Sequence, residues 1–279
     1  MRWADALGGI RALPLLLLLA ACGPAATVAP PAREAGLALH WRLLRPDGPG
    51  PHPAAVLLPG CDGVHDNMDF WAETFLRHGR AALILDSHAP RGLDDDPAWR
   101  LVCAAQLLRG PERAGDLAVA LDALDRMPGI DGGDVVLLGA SHGGWTAMEF
   151  VRLAAEGTPP PGLARWPASP DDLLARTRAL VLLYPYCGVL NRAGPEDWAE
   201  APPTLMILAG DDSVVSAPAC ADRARQLAAS GAEVRVEVLP GAGHAFDQRD
   251  RSPLSALTFD ADQRARAEAL VGGLLGDLR

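Results

Sequence analysis

The sequence predicts an α/β architecture, a mostly parallel central sheet with helices on both faces, and three observations carry that prediction. From Leu37 onward, short apolar runs of strand length alternate with longer amphipathic stretches, the pattern of strands joined by crossover helices. The 279 residues are 49% hydrophobic and 22% charged, which suffices for one large core and is far from the composition of disordered chains. Between Asp134 and Gly144 an apolar strand runs straight into a glycine-flanked serine and then a helix, a junction characteristic of such sheets.

The amino-terminal segment stands apart from that pattern. Residues 1–21 carry Arg2 and Arg11 ahead of an apolar run from Ala12 to Ala21. The run is shorter than the ~20 residues a membrane span needs, so it reads as a secretory signal. It ends in Leu19-Ala20-Ala21-Cys22, which resembles the bacterial lipobox, and that resemblance implies lipidation of Cys22. Ordinary cleavage near Ala21 or Ala26 is the alternative. Residues 22–36 are rich in Pro and Ala and read as a tether, with residues 37–279 as one folded domain. The expected location is therefore the periplasm or cell envelope, with membrane contact through a lipid anchor only.

Within the domain, strands are expected near 38–44, 54–58, 81–85, 134–138, 179–184, 204–208 and 234–238. Helices are expected near 68–78, 112–126, 143–155, 219–229 and 261–275. The Pro-rich stretch from Thr158 to Pro170 reads as a long surface loop, with a lid as the alternative. The acidic run Asp94 to Asp96 reads as a solvated loop, so no metal is assigned to it.

Charge narrows the function. A net charge of −10 argues against a nucleic-acid partner, which needs a basic face to neutralise phosphates. All 25 basic residues are arginine, so lysine Schiff bases, Ser-Lys catalysis and a P-loop lysine are excluded together.

The chemistry is carried by three loops. Gly139-Ala140-Ser141-His142-Gly143 is a nucleophile elbow, G-x-S-x-G in the strand-turn-helix context that the motif requires. It makes Ser141 the candidate nucleophile and presents the backbone N–H of His142 to a developing oxyanion. The second oxyanion donor is expected from the loop Pro59-Gly60-Cys61-Asp62-Gly63, at the N–H of Cys61. A serine hydroxyl needs a base, and His244, in a glycine-rich loop after the last expected strand, is the best placed of seven histidines. A carboxylate should orient that histidine, and Gly210-Asp211-Asp212 offers two, with Asp212 preferred and Asp211 as the alternative.

Through these loops, and through Asp86-Ser87-His88-Ala89-Pro90-Arg91-Gly92 and Tyr184-Pro185-Tyr186-Cys187, the chain resembles the dienelactone hydrolase family of the α/β-hydrolase superfamily from about 37 to 275. The resemblance implies an α/β-hydrolase fold, a small ester or lactone substrate, no cofactor and Asp212 as the acid. Typical members of that family carry cysteine where this chain has Ser141, a departure that favours general ester hydrolysis. His88, Arg91 and Tyr186 follow strand ends and are candidates to line the pocket, Arg91 by meeting a substrate carboxylate. An acyltransferase or peptidase using the same residues, and a catalytically silent binding lipoprotein, are the alternatives.

Four cysteines remain beyond Cys22. Cys187 and Cys220 each follow a strand at one sheet edge, which favours their pairing and leaves Cys61 with Cys103; free buried thiols are the alternative. The sequence is silent on oligomeric state.

Overall fold

The computed structural model describes residues 27–93, 98–251 and 257–278. The expected signal segment, Cys22 and the Asp94–Asp96 run lie outside these residues. Seven strands form one sheet: β1 (Arg42–Leu44), β2 (His52–Leu58), β3 (Ala81–Ile84), β4 (Ile130–Ala140), β5 (Thr177–Leu183), β6 (Thr204–Ala209) and β7 (Val234–Leu239). Their order is β1-β3-β2-β4-β5-β6-β7; β1 is antiparallel to β3 and every other pairing is parallel.

The inner strands are apolar on both sides because both faces are covered, as parallel sheets require. Ala54, Val56 and Leu58 of β2 point into one core with Leu137 and Leu182, while Ala55 and Leu57 point into the other with Val136 and Val181. The first core is roofed by α4 (Gly110–Leu124), α5 (His142–Ala155) and α7 (Ala217–Ala228), through Leu117, Leu121, Met148 and Leu227. The second is roofed by α2 (Asp66–Arg77) and α8 (Ala261–Asp277). Met68, Trp71, Ala72 and Phe75 of α2 fall at helical spacing and are fully buried, each large side chain contributing about 1.5–3 kcal/mol of apolar transfer. The α8 stripe Gln263, Ala267, Val271 and Leu275 repeats every fourth residue, and the Asp260 side chain caps that helix by accepting from the N–H groups of Asp262 and Gln263.

Two differences from the sequence reading lie at the amino-terminal side. Part of the expected tether is α1 (Pro30–Ala38), docked on α4 by an Arg33–Asp116 ion pair at 2.7 Å and by Arg33 donating to the Gly162 carbonyl. The expected strand over 38–44 is correspondingly only Arg42–Leu44. Proline at the first helical positions and the buried Leu37 stabilise α1, signals that the Pro/Ala composition concealed. Two short helices, α3 (Ala98–Cys103) and α6 (Pro170–Ala175), were also not foreseen. The 158–169 stretch packs as a loop against the body: Leu163 and Trp166 are buried, and the Ala164 N–H bonds the Val28 carbonyl.

Because the sheet is parallel, the loops after β2, β3, β4, β5, β6 and β7 emerge along one edge. The chain leaves β2 for β3 on one side and returns to β4 on the other, so β2 and β4 flank the switch point where such sheets open a crevice. Cysteine pairs tie this edge: Cys61–Cys103 and Cys187–Cys220, with Cα separations of 4.9 and 5.2 Å.

Candidate active site

Ser141 sits between the end of β4 and the start of α5 with φ 51° and ψ −110°. For a residue with a Cβ this conformation costs about 1–3 kcal/mol and persists only where the surroundings impose it. They do so here. The Ser141 N–H donates to the Leu183 carbonyl, and the Ser141 carbonyl accepts from the N–H groups of Trp145 and Tyr186. Glycine is obligatory on both sides of the turn. A Cβ at Gly139 would lie 2.4 Å from the Gly143 oxygen, and one at Gly143 would lie 2.0 Å from the Leu58 oxygen. The turn therefore brings Ser141 against the end of β2.

His244, in the loop after β7, places Nε2 2.9 Å from Ser141 Oγ, and its Nδ1 lies 2.8 Å from Asp212 Oδ2. Asp212 Oδ1 accepts from the N–H groups of Val214 and Val215, both at 2.8 Å, so the carboxylate is held with one oxygen on the backbone and the other on the imidazole. Burial works to raise the Asp212 carboxyl, but the bonds from His244, Val215 and Val214 outweigh it and hold the group below its usual range. Asp211 is exposed, and its backbone N–H donates to the Ala242 carbonyl. The structure thus brings Ser141, Asp212 and His244 together and leaves Asp211 outside.

The Cys61 loop is closed by a Gly60–Gly63 bridge and lies against α5. In the first turn of α5, the His142 N–H has no carbonyl one turn back to bond, as at any helix start. Three buried groups support this region from behind. His88 places Nε2 3.0 Å from the Cys61 carbonyl. Arg113, from the first turn of α4, directs Nη1 to His142 Nδ1 at 3.0 Å and to the Gly60 carbonyl at 3.4 Å. Burial first, and the Arg113 charge second, push His88 down to about 3 and hold His142 well below its usual value, so both rings are neutral. Gln248, just beyond the histidine loop, donates to Asp62 at 2.9 Å and ties the loops after β2 and β7 together.

The expected pocket-lining residues fare differently. His88 is a correction: with no exposed surface it supports the Cys61 loop from beneath and cannot reach a substrate. Arg91 is a second correction: its guanidinium is engaged by Asp116 at 2.9 Å and by the Ser87 carbonyl at 2.7 Å. Tyr186 lies beside Ser141: its N–H bonds the Ser141 carbonyl, and its half-buried ring sits 5.0 Å from Trp145.

Sequence reading missed the group beneath His244. Tyr184 packs its ring 4.8 Å from the imidazole and donates its hydroxyl to Asp247, which also accepts from Trp71 Nε1 at 2.6 Å. Burial raises the Asp247 carboxyl and pushes the Tyr184 hydroxyl well up. Only the position of Asp247 three residues past His244 hinted at this, since a buried carboxylate looks like any other in sequence. Arg113 was missed for the same reason.

Comparison with known proteins bears on the fold. The dienelactone hydrolase family model matches residues 174–272, a span that includes Asp212 and His244 but not Ser141. No curated protein matches the chain. Among solved structures, one named m3DLH is 22% identical with a TM-score of 0.64, over 85% of this chain and 98% of that one. A dienelactone hydrolase-like promiscuous phosphotriesterase from metagenomic libraries is 21% identical with a TM-score of 0.56, again over 85% and 98%. Thermogutta terrifontis esterase 2 phosphonylated by cyclosarin is 16% identical with a TM-score of 0.58, over 85% and 88%. At these identities the likeness establishes the α/β-hydrolase fold.

Proposed function

We propose that the protein is a serine hydrolase that cleaves small carboxylic esters or lactones through an acyl-enzyme on Ser141. The observation that carries the reading is one continuous chain of two hydrogen bonds, from Ser141 Oγ at 2.9 Å to His244 Nε2 and from His244 Nδ1 at 2.8 Å to Asp212. It begins at a serine in the strained backbone of an elbow. An esterase and a dienelactone hydrolase-like promiscuous phosphotriesterase among proteins of the same fold agree with a hydrolase reading.

In this mechanism Ser141 Oγ attacks the substrate carbonyl carbon while its proton passes to His244 Nε2. The carbonyl oxygen takes the electron pair and is met by the N–H groups of Cys61 and His142. Collapse expels the alkoxide, which takes the proton from His244 as it leaves. A water then attacks the acyl carbon with His244 again as base, and the proton returns to Ser141 Oγ as the acid departs. Asp212 keeps the Nδ1 proton of His244 in place and stabilises the imidazolium.

The test is Ser141→Ala. Turnover of short p-nitrophenyl esters and labelling by a fluorophosphonate should vanish with the circular-dichroism spectrum unchanged. Turnover that survives the substitution defeats the proposal, and a wild-type protein that neither turns over ester nor takes the label is a silent scaffold. We further propose envelope attachment through a lipidated Cys22; Cys22→Ala should then move the protein from the membrane fraction to the soluble periplasmic one.

A further inference from the structure

We propose that Arg113 is the positioning residue of the oxyanion hole, an inference that rests on the hydrolase reading and deepens it. Arg113 has no exposed surface, yet both hydrogen bonds of its side chain among the described residues lead to the Gly60–Cys61 peptide and to His142, which would supply the two oxyanion donors. The Gly60 carbonyl and the Cys61 N–H belong to one planar trans peptide and point in opposite directions. Drawing that carbonyl toward Arg113 Nη1 therefore aims the Cys61 N–H the other way. The same nitrogen donates its second hydrogen to His142 Nδ1 and locks the side chain of the residue that carries the other donor.

Stability alone does not account for this arginine. Burial brings its guanidinium down to about 10, so it stays charged at neutral pH. Its Nε and Nη2 have no hydrogen-bond partner among the described residues. The nearby Asp116 is bonded through Oδ1 to Arg33 and Arg91 instead. Arg113 also occupies the first turn of α4, where the helix dipole disfavours a positive charge. Asp116, Asp86 and Asp62 attract the charge, but two of its nitrogens stay unbonded in a buried place, and unsatisfied polar groups of this kind gather at functional sites. What Arg113 supplies is orientation of the Gly60–Cys61 peptide and of His142, with its positive charge behind the point where the oxyanion forms. His88 completes the support by holding the loop at the Cys61 carbonyl.

The experiment compares wild type, Arg113→Met and Arg113→Lys on a short p-nitrophenyl ester, with active sites counted by fluorophosphonate titration. The affinity of a trifluoromethyl ketone, which forms an oxyanion on the serine, is measured alongside. Arg113→Met should lose about 10–100-fold in kcat/KM, carried by kcat with KM within about twofold, and ketone affinity should fall by the same factor. Arg113→Lys should recover part of both. A folded Arg113→Met protein with wild-type kcat and ketone affinity overturns the inference while leaving the hydrolase reading intact. If Arg113→Met does not fold, Arg113→Lys decides: parallel losses support the role, and lost turnover with undiminished ketone affinity refutes it. A wild-type protein without Ser141-dependent turnover sinks both readings together.

Discussion

Asp212→Asn is the substitution whose consequence the structure specifies most closely. Asp212 Oδ1 accepts two backbone N–H groups, from Val214 and Val215, and Oδ2 faces His244 Nδ1. An asparagine must keep its oxygen on those two donors, since turning its NH2 group toward them would bury two clashing pairs of hydrogens. The NH2 is thereby left facing Nδ1, which must accept, and the imidazole proton is driven to Nε2 opposite Ser141 Oγ. A histidine in that tautomer cannot take the serine proton. The loss should be about 10⁴-fold in kcat, close to 5 kcal/mol of transition-state stabilisation, with little change in KM. Asp211→Asn, at an exposed side chain, should stay within about twofold of wild type, as surface changes do. Steady-state kinetics on p-nitrophenyl acetate, together with the rate of fluorophosphonate labelling, measure both. An Asp212→Asn protein within tenfold of wild type, or an Asp211→Asn protein that loses most of its activity, refutes this reasoning.

Three further outcomes are expected. Ser141→Gly should be inactive but more heat-stable than Ser141→Ala, by about 1 kcal/mol in denaturant titration, because glycine adopts φ 51° without the strain that alanine retains. Tyr184→Phe leaves Asp247 without one of its buried donors and should cost about 1–3 kcal/mol of stability, read from the urea midpoint; no change would mean the hydroxyl bond is not made. His88 has a folded value of about 3 against an ordinary 6.5, so the unfolded chain binds the proton more readily in that interval. Its contribution is complete above pH 6.5 and is lost as pH falls toward 3, amounting to about 5 kcal/mol at most. Urea titrations across this interval should show His88→Gln, whose amide can still donate to Cys61, losing less stability than wild type; equal losses contradict a neutral, buried His88.

The strands and the elbow were legible because their signals are local. Apolar runs at strand spacing mark β2, β4, β5 and β6, and a glycine two residues before and after Ser141 leaves little else that the turn could be. The amino-terminal boundary was less legible. Composition marked residues 22–36 as tether, and only the long-range pairing of Arg33 with Asp116, 83 residues away, makes α1 part of the folded body. The sequence could nominate His88 and Arg91 as pocket residues from their place after a strand, but a side chain's direction is a tertiary property, and here one is buried beneath the loop and the other is turned to Asp116.

By itself, then, the order of residues determined a parallel α/β sheet, the turn that strains Ser141, and the small set of loops from which a base and an acid could come. These follow from periodicity and from backbone sterics that act within a few residues. Only the tertiary structure set Asp212 against His244 with Asp211 turned outward, buried Arg113 behind the Cys61 loop, and set Tyr184 and Asp247 beneath His244. Those choices depend on which groups lose contact with water when distant segments pack, and no local pattern encodes that.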